Sequence, residues 1–161
     1  LFKVFLLAFS FTIVTSIFNG RLAKRHQFPY IALVNSPRFY CAGTLISRSH
    51  VLTASHCLMT VKQGNPINVT LGAFEYYGES KSDGLRMESF KFWIHDDFSM
   101  PSAVNDVGLI ELPKAVDESR AIKPIGIETK LNADYDFKDN YVAITGWGKM
   151  KIFRFKSRGI N

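Results

Sequence analysis

Apolar and polar residues alternate over short stretches of this chain, and turn-forming residues separate the stretches. A period of two over four to eight residues is typical of a half-buried β-strand. In residues 86–94 it puts Phe90, Phe92 and Ile94 on one face. The pattern predicts six strands, near residues 30–34, 39–47, 51–54, 67–71, 86–94 and 107–112.

Breakers fall between these strands, as Asn-Ser-Pro at 35–37, Gly-Asn-Pro at 64–66, Ser-Asp-Gly at 82–84 and Met-Pro-Ser at 100–102. Gly, Pro, Asn and Ser at such positions favour turns. Six short antiparallel strands at this spacing predict an all-β fold, with the strands closed into a small barrel.

The amino-terminal segment has the pattern of a secretory signal. Lys3 precedes an apolar run over residues 4–14, and small or polar residues, Thr15 and Ser16, follow. A charged start, an apolar centre and a small-residue exit define a signal peptide. The run is shorter than the ~20 residues of a membrane span. We therefore predict a signal peptide over residues 1–16, secretion to the extracellular space, and no membrane association after its removal.

The net positive charge of the chain comes from its two ends. The formal net charge is +6, from 20 Lys+Arg and 14 Asp+Glu. Six basic residues explain it: Lys3, Lys149, Lys151, Arg154, Lys156 and Arg158. Residues 17–148 are therefore neutral as a whole, whereas nucleic-acid binding needs a clustered basic face. This distribution argues against a nucleic-acid partner.

Two residues that could carry acid–base chemistry stand at strand ends. His56 follows the strand at 51–54, and histidine is the usual general base near neutral pH. Asp106 directly precedes the strand at 107–112. Its ordinary role there is to start the strand from a turn. Its functional role would be to orient His56 by accepting the ring N–H.

Cys41 and Cys57 are the only two cysteines, and they bracket the strand that leads to His56. They could be free, bind a metal or form a disulfide. A structural zinc site needs four clustered ligands, which disfavours the metal. A disulfide closing a loop of roughly 15 residues would contribute about 3 kcal/mol. In an oxidising compartment we favour the disulfide.

Several motifs together point to a family. Cys41-Ala-Gly-Thr-Leu-Ile-Ser47 and Val51-Leu-Thr-Ala-Ser-His-Cys57 resemble the histidine motif of trypsin- and chymotrypsin-like serine proteases. Asn105-Asp-Val-Gly-Leu-Ile110 resembles their aspartate motif, and Ile144-Thr-Gly-Trp-Gly148 their entry to a second barrel. The resemblance covers residues 17–148, in the order of the family.

The resemblance implies two six-stranded barrels with catalysis between them. Residues 17–128 would form the first barrel, residues 129–148 the linker and first strand of the second, and residues 149–161 a divergent basic tail. His56 would be the general base, Asp106 its orienter, and Cys41–Cys57 a bridge beside the histidine. Ile17-Phe-Asn-Gly20 looks like a mature amino terminus, exposed when the signal is removed. The implied partners are protein or peptide substrates and protease inhibitors, with a monomeric protein and no metal or other cofactor.

The chain also departs from the family pattern. The Gly-Asp-Ser-Gly-Gly motif that carries the nucleophilic serine is absent from the 161 residues. The oxyanion hole and specificity pocket of the second barrel are absent with it. We expect this chain alone to be inactive as a protease. The alternative is a non-catalytic secreted homologue that acts as a binding module.

A separate motif marks one modification site. Asn68-Val-Thr70 is a sequon for N-linked glycosylation, although Asn68 falls inside a predicted strand.

Overall fold

The computed structural model describes residues 20–62, 64–75, 83–127 and 142–147. Nearly all regular structure in these residues is β-strand, which confirms the predicted all-β class. In chain order the elements are β1 (Ile31–Asn35), β2 (Tyr40–Ser47), β3 (His50–Thr53), α1 (Ser55–Leu58), β4 (Ile67–Leu71), β5 (Leu85–Ser89), β6 (Lys91–Ile94) and β7 (Gly108–Glu111).

The strands form one antiparallel sheet in the order β5-β4-β1-β2-β3-β7-β6. The two strands at the ends of this order, β5 and β6, are separated in the chain by Phe90 alone. The chain therefore passes from one edge of the sheet to the other, and the sheet is curled as in a partly closed barrel. This agrees with the predicted barrel, except that the strand expected at residues 86–94 is two strands.

The division at Phe90 corrects the expected face pattern. Met87 and Ser89 are buried on β5, whereas Phe90 is 56% exposed and does not share the interior with Phe92. Phe90 and Lys91 are consecutive exposed residues, so the alternation changes phase at the bend. The buried Ser89 hydroxyl donates to the backbone carbonyl of Glu111. The local pattern showed a period of two but not this change of phase.

The core fills the inside of the curled sheet. On β4, Ile67, Val69 and Leu71 are fully buried, as a period of two requires. Leu58 on α1 belongs to the same core and is also fully buried. The remaining core side chains are aliphatic or Met: Ala32, Val34, Leu45, Val51, Val61, Met87, Ile110, Leu112, Val116 and Ile122.

Residues 142–147 do not form the strand that the sequence predicted there. Val142 and Ile144 are 74% and 77% exposed. A strand needs a hydrogen-bonding neighbour, and the seven described strands leave this segment outside their pairing. The compact unit to which it belongs extends from Ala23 to Trp147.

Other predicted segments lie outside the described residues. They are the signal peptide at 1–16, the amino terminus at Ile17, residues 129–141 of the predicted linker and first strand at 129–148, and the tail at 149–161. In the described ranges, no helix is both long and apolar enough for a membrane span.

Candidate active site

Strand register brings the histidine and aspartate motifs together. Strands β3 and β7 are antiparallel, and Thr53, the last residue of β3, pairs with Gly108, the first residue of β7. Residues that follow β3 and residues that precede β7 therefore lie at the same end of the sheet. His56 and Asp106 occupy these two positions, although 50 residues separate them in the chain.

The Asp106 carboxylate binds His56 through both oxygens. Its Oδ2 lies 2.7 Å from His56 Nδ1, and its Oδ1 accepts the backbone N–H of His56 at 2.8 Å. Ala54, the N-cap of α1, has no side chain that could cap the helix. Asp106 satisfies one of the amides left open at this helix start. The same carboxylate thus fixes both the turn and the ring that the turn carries.

This contact determines which ring nitrogen is available for chemistry. A carboxylate at Nδ1 favours the tautomer in which Nδ1 carries the proton. The Nε2 lone pair is then free to accept a proton from another group. The His56 side chain is 37% exposed, so a reactant can reach it from solvent.

Two opposing effects act on the pKa of Asp106. Burial raises the pKa, because it penalises the charged carboxylate. The hydrogen bonds from the His56 ring and backbone N–H lower the pKa by more, and the net direction is downward. Asp106 is therefore a stable anion at neutral pH, as an orienting group for a histidine should be.

The structure confirms the disulfide between Cys41 and Cys57. The bridge lies against the imidazole: His56 Nε2 is 3.4 Å from Cys57 Sγ and 4.0 Å from Cys41 Sγ. The Phe39 ring meets the imidazole edge to face, at 5.8 Å between centroids. The ring of His56 is thus held between a carboxylate, a disulfide and an aromatic side chain.

Cys41, His56 and Cys57 carry atoms of the types that bind metal ions. Ligand atoms of Cys41, His56 and Cys57 all lie within 4.8 Å of one another. Cysteine binds metals as the thiolate, and the two sulfurs are joined to each other here. The bridged cysteines therefore offer no thiolate to a metal.

Ser55, which directly precedes His56, is the first residue of α1. Ser55 is completely buried, and its Oγ donates to the carbonyl of Val107 at 2.6 Å. A buried hydroxyl that is already donating cannot attack a substrate. No local signal in the sequence marks this contact, since it joins residues 52 positions apart.

A second carboxylate has a similar environment away from this site. Asp83 Oδ1 accepts the backbone N–H of Phe74 at 2.8 Å, and Asp83 Oδ2 lies 2.6 Å from an Arg25 guanidinium nitrogen. The Arg25 guanidinium also stacks over the Phe74 ring, 5.0 Å from its centroid. No local pattern in the sequence marks this contact, since Arg25 and Asp83 are 58 residues apart.

A cavity of about 360 Å³ lies next to Asp106. Small, hydroxyl-bearing and aliphatic side chains line it, among them Ala42, Thr53 and Leu52. The cavity leaves the Asp106 side chain 23% exposed, so the carboxylate is not sealed behind His56.

Comparison with known proteins gives a single family. The Trypsin family model matches residues 17–159. The chain is 32% identical to the clotting factor G beta subunit of Tachypleus tridentatus over 142 residues, which cover 84% of this chain and 45% of that protein. It is 32% identical to granzyme B(G,H) of Mus musculus, with 83% of this chain and 53% of the relative covered.

Cathepsin G of Mus musculus is also 32% identical, over 90% of this chain and 52% of the relative. The chain thus spans about half the length of the curated relatives it matches. From the family match together with these relatives, we conclude that the chain belongs to the trypsin family of serine proteases.

Proposed function

We propose that this protein is a secreted, trypsin-like serine endopeptidase in which His56 is the general base and Asp106 orients it. One observation carries the proposal: the partly buried Asp106 carboxylate lies 2.7 Å from His56 Nδ1, and only the disulfide sulfurs, which carry no proton, contact Nε2 among the described residues. The family supplies the reaction class, and the substrates are proteins or peptides.

In the proposed reaction a serine hydroxyl attacks the carbonyl carbon of a peptide bond. Its proton passes to His56 Nε2, and Asp106 stabilises the imidazolium that results. The same proton then moves to the leaving amine as the C–N bond breaks. Water hydrolyses the acyl-serine in a second round, with His56 again as the base.

The 161 residues contain no Gly-Asp-Ser-Gly-Gly motif to supply that serine. Ser55 does not replace it, because its hydroxyl is buried and already donates to Val107. We therefore propose that these residues alone do not hydrolyse peptide bonds. They contribute the base, its orienter and the disulfide.

Sequencing of the transcript past codon 148 tests this proposal. We expect an in-frame Gly-Asp-Ser-Gly-Gly, and a product that reacts with a serine-directed phosphonate. A matched His56→Ala product should not react, whereas a Ser89→Ala product should. A longer product that carries the motif but stays unlabelled would contradict the assignment of His56.

A non-catalytic homologue that acts as a binding module is the second candidate. The missing nucleophile motif favours it. It predicts a transcript that ends without the motif, no phosphonate labelling, and binding of a protease substrate or inhibitor without cleavage. Sedimentation of the secreted protein would also test the proposed monomer.

We propose that maturation begins at Ile17, after removal of the signal at residues 1–16. The competing start is His26, after the basic pair Lys24-Arg25. That bond lies in a tight turn, in which the Gln27 N–H donates to the Lys24 carbonyl at 3.0 Å. Proteases read extended segments, and Arg25 is paired with Asp83, so the folded chain protects the bond. Amino-terminal sequencing distinguishes Ile17 from His26.

We also propose an N-linked glycan on Asn68. Two guanidinium nitrogens of Arg86, Nε and one terminal nitrogen, lie 3.1 and 2.9 Å from Asn68 Oδ1. The carbonyl oxygen of the amide is therefore the bonded atom, and Nδ2 is left for the sugar. Removal of a glycan by an amidase from protein secreted by animal cells should lower its mass, and Asn68→Gln should abolish that change.

A further inference from the structure

We propose that Ser55 is a positioning residue, whose buried hydroxyl ties the helical turn that carries His56 to the loop that carries Asp106. The importance of this tie for catalysis rests on the proposed function. The tie itself is a property of the folded chain and can be measured without any activity.

The geometry places Ser55 and His56 opposite Asp106 and Val107. His56 binds Asp106 through its ring and its backbone N–H, at 2.7 and 2.8 Å. One residue earlier, Ser55 Oγ donates to the Val107 carbonyl at 2.6 Å. The backbone N–H of Ser55 also acts on the Asp106 carboxylate, and the three hydrogen bonds given above join two dipeptides that are far apart in sequence. Two of them involve the Asp106 carboxylate, and the third involves the adjacent backbone.

Ser55 also connects a third segment. The His95 N–H, just after β6, lies 3.2 Å from the Val107 carbonyl and 3.3 Å from Ser55 Oγ. The hydroxyl thus accepts from one strand end while it donates to the other. Because Ser55 is completely buried, water does not compete for these bonds.

Packing prevents α1 from moving closer to β7. A Cβ atom added at Gly108 would come within 2.7 Å of Leu58 Cδ1, so α1 lies directly against the start of β7. Close packing sets the distance between α1 and β7. A methyl contact has no preferred direction, however, so it does not prevent α1 from sliding along the strand. The directional hydrogen bond from Ser55 to Val107 prevents this sliding. We infer that it sets how Asp106 meets His56.

Replacement of Ser55 by Ala should loosen the pair without unfolding the protein. The Val107 carbonyl keeps its bond from His95, so no buried backbone acceptor is left without a donor. In the 161-residue protein, NMR reports on the pair through hydrogen exchange of the His56 backbone N–H and through the resonance of the His56 Nδ1 proton. Ser55→Ala should raise the exchange rate of that N–H by roughly tenfold and shift or broaden the Nδ1 proton signal.

Ser89→Ala is the matched control. Ser89 is buried, and its hydroxyl also donates to a backbone carbonyl, that of Glu111 at the opposite end of β7. The two variants are compared at denaturant concentrations that give them equal free energies of unfolding. Ser89→Ala should change neither signal. The proposal is wrong if Ser55→Ala changes neither, or if Ser89→Ala changes both equally.

A second comparison uses the Asp106→Asn background. If Ser55 acts through the pair, Ser55→Ala should lower the thermal midpoint less when Asp106 has already been replaced. Equal losses in both backgrounds would show an independent structural role and would overturn the proposal. Neither measurement depends on hydrolysis, so failure of the endopeptidase assignment would leave the result for Ser55 readable.

Discussion

Asp83 and Asp106 make the same kinds of contact, yet their basic partners differ in chemistry. Each accepts a backbone N–H through one oxygen and contacts a basic side chain through the other. The partner of Asp83 is Arg25, and the partner of Asp106 is His56. Both carboxyl groups have lowered pKa values.

The two sites differ in the side chain that is paired with the carboxylate. An arginine guanidinium stays protonated throughout the physiological range, so it can hold a carboxylate but cannot exchange a proton. Histidine can do both, because its proton is lost and regained near neutral pH. The Arg25–Asp83 contact therefore holds two segments of the chain together, whereas the His56–Asp106 contact can take part in a proton transfer.

The largest difference between the two sites should appear in catalysis. In a product that supplies the nucleophilic serine, Asp106→Asn should lower kcat by about 10⁴-fold. That magnitude is the one known for this substitution in the trypsin triad itself. Asp83→Asn should leave kcat within about twofold, as measured on a peptide substrate. Similar losses for both variants would remove the distinction.

The disulfide should matter more for stability than either carboxylate contact. Replacing Cys41 and Cys57 together by Ser should lower the free energy of unfolding by about 3 kcal/mol, because the unfolded chain regains the freedom of the closed loop. Denaturant titration measures the loss. Reducing the unmodified protein should reproduce it, while the double variant should no longer respond to reductant.

Acid should weaken the Arg25–Asp83 contact only at very low pH. The backbone N–H of Phe74 lowers the pKa of Asp83, burial opposes it, Arg25 adds to the lowering, and the result is about 2. Since the folded pKa lies below the unfolded value of 3.8, the stabilisation is complete above pH 3.8. It is lost as the pH falls through about 2.

Arg25→Gln tests that pH dependence. The variant should be less stable than the parent at pH 5, and the difference should shrink as the pH approaches 2. Thermal unfolding at a series of pH values measures it. A constant difference would mean that Arg25 stabilises the fold through its stacking on Phe74 rather than through charge.

The smallest effect should be local. Asp83→Asn should speed tryptic cleavage after Arg25 in the folded protein, by up to about tenfold, because it frees the side chain that the turn holds. Mass spectrometry of early digestion products would detect it. Glu88→Gln, at an exposed position on the neighbouring β5, is a suitable control and should not change the cleavage rate.

The sequence predicted the parts of the molecule that depend on local pattern. The strands, the disulfide and the positions of His56 and Asp106 at strand ends follow from short motifs. The hydroxyl of Ser55 and the guanidinium of Arg25 were missed, since their partners are 52 and 58 residues away. Such contacts depend on strand register and loop path, which alternation of apolar residues does not encode. The bend at Phe90 was missed because a period of two continues on both sides of it.

The single-residue corner at Phe90 also constrains how this domain can change in length. One inserted residue there would turn Phe92 outward and Trp93 inward, because side chains alternate along a strand. The displacement would continue through β6 to His95 and so reach the carbonyl that Ser55 holds. Insertions and deletions that natural variants tolerate should therefore spare the corner.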